Sequence, residues 1–335
     1  MPAPRRPVLR GGIDLGGTKI EAIVVDSKHA VHGGARHPTP TTGGPADVAR
    51  AMIAAIHEAA AAAGVEAGRL RGIGVGSPGA VDEATGTVTS ARNLPGWDGS
   101  FALARALADE LGTLVKVAND VAVATIAEFE LGAGRPYECL LGVFWGTGVG
   151  GGLILNGRPY HGRGGAGEIG HMVIKRGGRR CLCGNRGCVE AYSGRLAMED
   201  RARKLIAKGR RSKLPKLMIR KQHDRFTSSV WGEALEQGDE LATELIDEAV
   251  GALGAGIASA VNLLDVQAVI IGGGLGLRLG EPYVRRIEKA MHKHLFPGRE
   301  PLDVHLAGLG DLGGAIGAAL LVEPPVRARS APARA

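Results

Sequence analysis

Residues 8–26 read VLRGGIDLGGTKIEAIVVD, and this stretch decides how the chain begins to fold. Two apolar runs flank a short glycine turn, which predicts a strand, a tight turn and a returning strand. Residues 139–155 repeat the arrangement as CLLGVFW, GTGVGGG and LIL. We interpret the pair as a weak internal duplication of one strand–turn–strand unit, with coincidence in a glycine-rich chain as the alternative.

Outward from these two units, apolar strands alternate with helical stretches. The predicted strands cover residues 70–75, 114–118 and 266–271, and the predicted helices cover residues 46–63, 101–111, 121–131, 282–295 and 312–321. Such alternation predicts an α/β fold with a mixed or parallel sheet.

Length and composition describe an ordinary globular chain with one unusual feature. The 335 residues are enough for about two domains. The 54 glycines lie in short runs rather than in a G-X-Y repeat, which excludes collagen and suggests backbone that approaches a ligand. No uncharged stretch reads as a membrane span and the N-terminus lacks the apolar core of a signal peptide, so we expect a cytoplasmic protein.

The net charge of +7 is concentrated in residues 201–225, which hold eleven Lys and Arg residues and one acid, Asp224. We interpret this basic segment as a solvated helical face or a contact between subunits. The alternatives are a polyanion site, for instance for polyphosphate as a phosphoryl donor, and a nucleic-acid site. Nucleic acid is disfavoured because Phe226 is the one aromatic residue near the segment.

Several common nucleotide and hydrolase motifs are excluded. The sequence has no G-x-x-x-x-G-K-[ST] and no G-x-S-x-G. Two G-x-G-x-x-G matches begin at Gly74 and Gly146, but turn-like and strand-like sequences follow them where a dinucleotide fold needs a helix. The chain is therefore neither a P-loop protein nor a Rossmann dehydrogenase.

Three glycine runs are candidates for a phosphate or nucleotide site. In the first, Asp14 precedes a turn whose amides can approach phosphate oxygens, and its carboxylate can hold Mg²⁺. An ordinary hairpin turn is the alternative. The second run follows residues 139–145 where a duplicated phosphate clamp would need it, and the third could admit a base or ribose or be a plain strand-to-helix turn. The candidate residues are Asp14, Gly16, Gly17, Thr18, Lys19, Gly146, Thr147, Gly148, Gly272, Gly273 and Gly274.

Asn119 and Asp120 stand where a strand meets a helix. A carboxylate at a helix N-terminus stays ionised and is well placed to accept the proton of a substrate hydroxyl. The alternative is that Asp120 simply caps the helix, as aspartate often does.

The strongest motif is Glu168-x-x-His171 followed after nine residues by Cys181-x-Cys183-x₄-Cys188-x-Glu190. One imidazole and three thiolates make a Cys₃His set, typical of a closed structural zinc site, with free thiols as the alternative. A closed site leaves no open position for Lewis-acid chemistry. The zinc would instead order the loop that carries Glu168 and Glu190, whose carboxylates can accept hydrogen bonds from sugar hydroxyls.

Taken together, DLGGTK, GSPG, the Asn-Asp pair, GTGVGGG, E-x-G-H and C-x-C-G-N-R-G-C-x-E resemble the ROK family of sugar kinases and repressors, and the metal loop resembles its glucokinase branch. The resemblance runs from about residue 8 to residue 321. It implies an actin-like (ribonuclease H-like) ATPase fold with two α/β domains around a central cleft. The expected parts are residues 8–118 with 310–322, residues 119–309 with the zinc loop, and a disordered tail over residues 323–335.

The resemblance also implies roles for individual residues. Asp120 is expected to be the general base, and Asp14, the first two glycine turns and residues 272–274 are expected to bind Mg²⁺ and ATP. Sugar-binding residues are expected at Gly79, Asn93, Asn119, Asp120, Glu168, His171 and Glu190, and zinc ligands at His171, Cys181, Cys183 and Cys188. Two departures stand out, namely the helix sequence VAVATIAE after Asp120 and the basic segment.

The implied activity is ATP-dependent phosphorylation of glucose at its 6-hydroxyl. Within the same family, a polyphosphate-dependent glucokinase or glucomannokinase and an N-acetylhexosamine kinase are the alternatives. A sugar-responsive repressor is disfavoured because about seven residues precede the first strand, too few for a helix-turn-helix. The expected partners are a sugar and a nucleotide, and a second copy or copies in a homodimer or homotetramer, without nucleic acid or membrane.

Overall fold

The computed structural model describes residues 8–91 and 94–322. The strands are β1 (Arg10–Leu15), β2 (Lys19–Val25), β3 (Val31–Pro38), β4 (Ile73–Ser77), β5 (Ala80–Asp82), β6 (Thr87–Thr89), β7 (Ser100–Phe101), β8 (Val115–Asn119), β9 (Leu140–Trp145), β10 (Val149–Leu155), β11 (Arg158–Pro159), β12 (Ala268–Gly272) and β13 (Asp303–Leu306). The helices are α1 (Pro45–Ala62), α2 (Leu103–Leu111), α3 (Asp120–Leu131), α4 (Glu190–Ser193), α5 (Arg195–Ala207), α6 (Leu214–Arg220), α7 (Ser228–Glu236), α8 (Glu240–Leu264), α9 (Gly273–Leu279), α10 (Glu281–His292) and α11 (Gly313–Leu320). Short 3₁₀ turns cover Ala67–Arg69, Ile169–His171 and Gly310–Leu312.

The chain forms two compact units, one of residues 1–132, 157–166 and 311–335 and the other of residues 133–156 and 167–310. The division expected from sequence places a boundary after residue 118, before the last residue of β8, and so separates most of β8 from α3. In the structure α3 packs on β4 and α11 of the first unit, and the unit continues to Gly132. The tail over residues 323–335 lies outside the described residues.

The first unit is built on a mixed sheet in the order β3-β2-β1-β4-β8. β1 and β2 form the predicted antiparallel hairpin, with Leu15 opposite Ile20, and β1, β4 and β8 run parallel. In the second unit the neighbours β10-β9-β12-β13 repeat the order β2-β1-β4-β8, again with one antiparallel hairpin and parallel partners. The repeated order supports the predicted duplication.

Local signals explain where the long helices begin. Proline at the first position of α1 presets the helical φ, and the Asp47 carboxylate accepts a hydrogen bond from the Gly44 amide at 2.9 Å. In α8 the Asp239 side chain caps the helix by accepting from Ala242 N at 2.8 Å. α8 then packs against α4 and α10 and buries much of its apolar surface, so it is a core helix of the second unit.

Helix α11 lies unusually close to the first sheet because glycines face it. A Cβ on Gly12 of β1 would overlap Ala315 O, and a Cβ on Gly74 of β4 would overlap Ala318 O. On its other side, Gly317 of α11 faces the backbone of α3 at Val123 in the same way. Close backbone approach of this kind fixes the position of α11, and with it the residues at the N-terminus of that helix.

We expect Gly74→Ala to destabilise the protein by about 3 kcal/mol, since the added methyl group can be accommodated only by moving α11 off the sheet. Equilibrium unfolding in urea measures the difference. Gly34→Ala on β3 of the same sheet is the matched control, because its Cβ would lie 3.6 Å from the nearest atom. Equal unfolding midpoints for the two variants would show that α11 does not pack against β4 this closely.

Candidate active site

The first glycine turn joins β1 to β2 and holds the predicted phosphate-binding residues Asp14, Gly16, Gly17, Thr18 and Lys19 in one hairpin. The turn closes with a hydrogen bond from Gly16 N to Lys19 O of 2.9 Å. Thr39, which follows β3, forms hydrogen bonds to two carbonyl groups of this turn. Its hydroxyl donates to Gly16 O at 2.6 Å, and its amide donates to Thr18 O at 3.2 Å. Sequence reasoning missed Thr39, because nothing local links it to the turn.

The Asp14 carboxylate lies against the N-terminal turn of α11, where a Cβ on Gly314 would come 2.6 Å from Asp14 Cγ. Burial raises the pKa of Asp14 to about 6, with Lys19 opposing the shift and Glu21 and Asp311 adding to it. A raised pKa means that the ionised carboxylate lacks sufficient positive charge around it. One carboxylate together with substrate phosphates is a usual donor set for Mg²⁺, so these residues fit that ion.

At the junction of β8 and α3, the structure separates the roles of Asn119 and Asp120. Asn119 is the N-cap, and its side-chain oxygen accepts hydrogen bonds from Val121 N at 3.0 Å and Ala122 N at 3.1 Å. Asp120 is the first helical residue, and one of its oxygens accepts from Val121 N at 2.9 Å. The sequence left open the alternative that Asp120 caps the helix. In the structure, Asn119 is the residue that caps it.

Two sugar-side residues were expected in the loops after β4. Gly79 has a φ of +93°, a conformation that side chains rarely adopt, and a Cβ there would lie 2.9 Å from Thr89 O. Glycine is therefore required at this turn. Asn93 lies outside the described residues.

The second glycine turn joins β9 to β10 and consists of Gly146, Thr147 and Gly148. It closes with a hydrogen bond from Gly146 N to Gly148 O of 3.0 Å. The third run lies beside it, since a Cβ on Gly146 would come 3.6 Å from Gly274 N. The two predicted nucleotide segments of the second unit are thus neighbours.

The third run is also the strand-to-helix turn that the sequence left as an alternative. Gly272 ends β12, and α9 begins at Gly273. Gly273 has a φ of +80°, and a Cβ there would lie 2.6 Å from the backbone of Trp145. This turn therefore needs glycine for its geometry, whatever it binds.

The four predicted zinc ligands come together in the second unit. The ligand atoms of His171, Cys181, Cys183 and Cys188 all lie within 4.8 Å of one another. Cys181 Sγ is 3.7 Å from His171 Nδ1, and Cys183 Sγ is 3.8 Å from Cys188 Sγ. Four ligands bound tetrahedrally at about 2.3 Å stand about 3.8 Å apart, so the cluster fits Zn²⁺.

Two of the three thiols of the cluster resist ionisation, whereas hydrogen bonds from Asn185 and from the other two thiols outweigh burial and lower the pKa of Cys183. Burial raises the pKa of Cys181 to about 12, and burial also raises the pKa of Cys188. A metal ion binds the thiolate and displaces that proton. The free-thiol alternative therefore leaves protonated thiols packed together in a loop whose backbone already holds them in place: Cys181 N donates to Asn185 O at 2.8 Å, and Gly184 N donates to Cys181 O at 3.0 Å.

Both predicted sugar-binding glutamates of this unit flank the cluster. His171 turns its Nε2 toward Glu168, with 3.9 Å between Nε2 and Oε2, while its Nδ1 faces the thiols. Glu190 Oε1 lies 3.9 Å from Cys181 Sγ, and its Oε2 accepts a hydrogen bond from Val149 N at 2.9 Å. Glu190 thus connects the metal cluster to the first residue after the second glycine turn, a contact that sequence reasoning missed.

The predicted site residues therefore fall into two sets. The first unit holds the first glycine turn at the end of β1, Gly79 shortly after the neighbouring strand β4, and Asn119 and Asp120 where β8 meets α3. The second unit brings together the metal cluster, Glu168, Glu190 and the other two glycine runs.

In the described part of the chain, no helix is both long enough and apolar enough to cross a membrane.

Comparison with known proteins gives the same picture over nearly the whole chain. The model of the ROK family matches residues 10–324. The glucokinase of Thermotoga maritima is 31% identical over 314 residues, which are 93% of this chain and 96% of that protein. The N-acetyl-D-glucosamine kinase of Pectobacterium atrosepticum is 32% identical over 321 residues, or 92% of this chain and 97% of that protein.

A solved structure agrees with these relatives. The ROK family glucokinase from Streptomyces griseus, in complex with glucose and AMPPNP, has a TM-score of 0.80 and 31% identity, and the match covers 93% of this chain and 98% of that one. The predicted α/β, actin-like ATPase fold and the predicted enzyme class, a sugar kinase, are confirmed. A family match over residues 10–324 and relatives of about this identity along the full chain lead to one conclusion: this chain belongs to the ROK family.

Proposed function

We propose that this kinase transfers the γ-phosphoryl group of ATP to the 6-hydroxyl of glucose. The observation that carries the proposal is the position of His171, whose Nδ1 belongs to the metal cluster and whose Nε2 faces Glu168. A ring fixed on one side by a metal and flanked on the other by a carboxylate is suited to hold sugar hydroxyls in one orientation. The glucokinase relative and the structure with glucose and AMPPNP support glucose and ATP as substrates.

On the sugar side, we assign hydroxyl binding to Gly79, Asn93, Asn119, Glu168, His171 and Glu190. His171, Cys181, Cys183 and Cys188 would hold the zinc, which would order this loop and leave no coordination position open for substrate. The side-chain oxygen of Asn119 accepts the hydrogen bonds that cap α3. Its side-chain N–H groups therefore remain as donors to the sugar.

We assign the general base to Asp120. Its carboxylate takes the proton of the 6-hydroxyl as the hydroxyl oxygen attacks the γ-phosphorus, and the bond from that phosphorus to the bridging oxygen of ADP breaks. The first turn of α3 favours the ionised carboxylate, because helix N-termini carry partial positive charge. Asn119 supplies the cap, so the base is not needed to hold the helix together.

On the phosphate side, Asp14 would hold Mg²⁺, which neutralises charge on the phosphate oxygens when bound. The amides of Gly16, Gly17, Thr18, Gly146, Thr147 and Gly148, together with Lys19, are assigned to those oxygens, and Gly272, Gly273 and Gly274 are assigned to the adenosine. Preorganised donors of this kind stabilise the charge that the transferring group develops.

ATP is favoured over polyphosphate because five of the eleven Lys and Arg residues of the basic segment already pair with an acidic side chain. Arg203, Lys204, Arg210, Arg220 and Lys221 each form an ion pair with an acidic side chain. A cation that is already paired with a carboxylate attracts a polyanion less strongly than an unpaired one. We therefore interpret the segment as a solvated helical face. The homodimer or homotetramer and the cytoplasmic location stay predictions.

N-acetylglucosamine is the second candidate substrate, because a kinase for that sugar is 32% identical to this chain. The two sugars differ at carbon 2, where an acetamido group replaces a hydroxyl. Both keep the 6-hydroxyl, so the roles of Asp120 and of the phosphate turns are the same for either.

Mass spectrometry of the products tests the proposal. Purified protein with Mg²⁺ is offered glucose, mannose, fructose and N-acetylglucosamine, each with ATP and separately with polyphosphate. We expect glucose 6-phosphate from glucose and ATP, at a higher kcat/KM than any other pair gives. A higher kcat/KM for N-acetylglucosamine would make the second candidate correct, and turnover with polyphosphate alone would contradict the assignment of the donor.

A further inference from the structure

A buried arginine lies directly behind the second glycine turn. Arg195 is the first residue of α5, and it is 5% exposed. Its Nη2 donates to Thr147 Oγ1 at 3.0 Å, and its Nη1 donates to Phe226 O at 3.0 Å. The side chain therefore connects the turn to the loop before α7 through two fixed hydrogen bonds.

The backbone of α5 makes the same connection. Arg195 N donates to Gly146 O at 3.1 Å, and Leu196 N donates to Thr147 O at 3.1 Å. The first amides of a helix lack partners within it, and here carbonyl groups of the turn satisfy two of them. The turn is thus held to α5 by its carbonyl oxygens and by the Thr147 side chain.

The side-chain hydrogen bond limits where the Thr147 proton can point. A guanidinium group donates only, so Thr147 Oγ1 must be the acceptor, and its own proton is directed elsewhere. With a nucleotide bound at this turn, a phosphate oxygen can accept that proton.

The guanidinium of Arg195 forms no direct ion pair with a carboxylate among the described residues. Among the described residues, no carboxylate oxygen lies within 4.0 Å of its guanidinium nitrogens. Glu199 lies one helical turn further along α5. Its Oε1 accepts hydrogen bonds from the Arg203 side chain, and its Oε2 accepts one from Phe226 N. Burial lowers the pKa of Arg195, the charge of Glu199 opposes that shift, Arg225 adds to it and Asp224 opposes it. The guanidinium nevertheless stays protonated at physiological pH.

A buried cation without a carboxylate partner is costly, and an anion at the site removes much of that cost. The triphosphate of ATP, which the proposed function places at this turn, is such an anion. Sugar hydroxyls are neutral and gain little from the same charge.

We propose that Arg195 is a positioning residue for the nucleotide: it orients the Thr147 hydroxyl toward a phosphate oxygen and places a buried positive charge behind the second glycine turn. This role rests on the proposed function for the identity of the nucleotide. The proposed role predicts different effects on the two substrates. Replacing Arg195 should weaken the binding of the triphosphate and leave the binding of the sugar almost unchanged.

The test measures the Kd for Mg·AMPPNP by calorimetry and the KM for sugar in the product assay. Arg195→Met is expected to raise the nucleotide Kd roughly tenfold, as for loss of one charge-assisted hydrogen bond, with the sugar KM within about twofold of the wild-type value. Thr147→Val should raise the Kd by a similar factor, and Thr147→Ser, which keeps the hydroxyl, should restore it. The double variant Arg195→Met with Thr147→Val should bind about as weakly as the weaker single variant, because the two side chains act as one unit.

Arg203→Met is the matched control, since Arg203 is a cation on the same helix that pairs with Glu199, and among the described residues no hydrogen bond joins its side chain to the turn. An unchanged nucleotide Kd in Arg195→Met, or a double variant whose effect is the product of the two single effects, would overturn the proposal. If Arg195→Met fails to fold, a Thr147→Val protein with the wild-type Kd would overturn it equally. Because binding is measured without turnover, a wild-type protein that binds nucleotide but phosphorylates no sugar fails the proposed function and not this inference.

Discussion

Replacing Asp120 with asparagine is expected to lower kcat for sugar phosphorylation by roughly 10²–10⁴-fold, the range typical for loss of a general base. Asparagine has nearly the same shape as aspartate, but its amide does not take the proton of the sugar 6-hydroxyl at neutral pH. The KM for sugar should change only modestly, since the other hydroxyl-binding residues stay in place. Steady-state kinetics with glucose and ATP over a range of both concentrations gives the two constants separately.

The fold should tolerate this substitution, which makes the result interpretable. The cap of α3 comes from Asn119, whose side chain accepts from Val121 N and Ala122 N, so the helix keeps its N-terminal hydrogen bonds without the Asp120 carboxylate. Circular dichroism and the unfolding midpoint verify this. Activity within a few-fold of the wild-type value, in a protein that folds normally, would mean that another group accepts the proton.

Asp109→Asn is the matched control for the charge change. Asp109 lies on α2 of the same unit, is exposed, and faces Arg105 at 3.6 Å in an ion pair of the kind that contributes little to stability. It should leave both kcat and KM unchanged. A similar loss of activity in both variants would point to a general effect of charge rather than to the chemistry of Asp120.

Parts of the molecule whose signal is local could be predicted from the sequence. The two glycine hairpins follow from apolar runs on either side of a turn, and the structure contains both, with the same order of neighbouring strands. The metal cluster could also be predicted, because three cysteines within eight residues lie on one loop, and a single turn of backbone brings them together.

Contacts between residues far apart in the sequence could not be predicted in this way. Arg195 and Thr147 are 48 positions apart in the sequence, and Thr39 and Gly16 are 23 apart. No local sequence pattern therefore predicts either hydrogen bond. Glycines that let backbones approach, such as Gly74 against α11, look like any other glycine until the helix is placed. The ambiguity of Asn119-Asp120 has a different origin, since a cap and a base use the same residue types, and the hydrogen bonds of the structure show which of the two residues is the cap.

Removing one zinc ligand is expected to have the second large effect. Cys183→Ser replaces a thiolate ligand of the cluster with a hydroxyl group, which binds zinc far more weakly, and the zinc content should fall from one ion per chain to nearly none. Structural zinc ions in small peptides contribute roughly 10–16 kcal/mol of apparent binding free energy, so the second unit should unfold at a much lower temperature. Atomic absorption and a thermal melt measure both effects.

Kinetics on any folded fraction shows whether the metal serves the sugar. Without the ion, the His171 ring is no longer fixed through Nδ1, and Glu168 and Glu190 lose the loop that holds them beside it. The KM for sugar should therefore rise at least tenfold, and prolonged dialysis of the wild-type protein against a strong chelator should reproduce the change.

Cys139→Ser is the matched control for the loss of a thiol. Cys139 stands alone just before β9, where its sulfur accepts a hydrogen bond from Asn156 N at 3.3 Å. This variant should keep its zinc, its melting temperature within a few degrees, and its kinetics. Full zinc content and an unchanged sugar KM in Cys183→Ser would contradict the zinc assignment, and they would leave His171 to orient sugar hydroxyls through protein contacts alone.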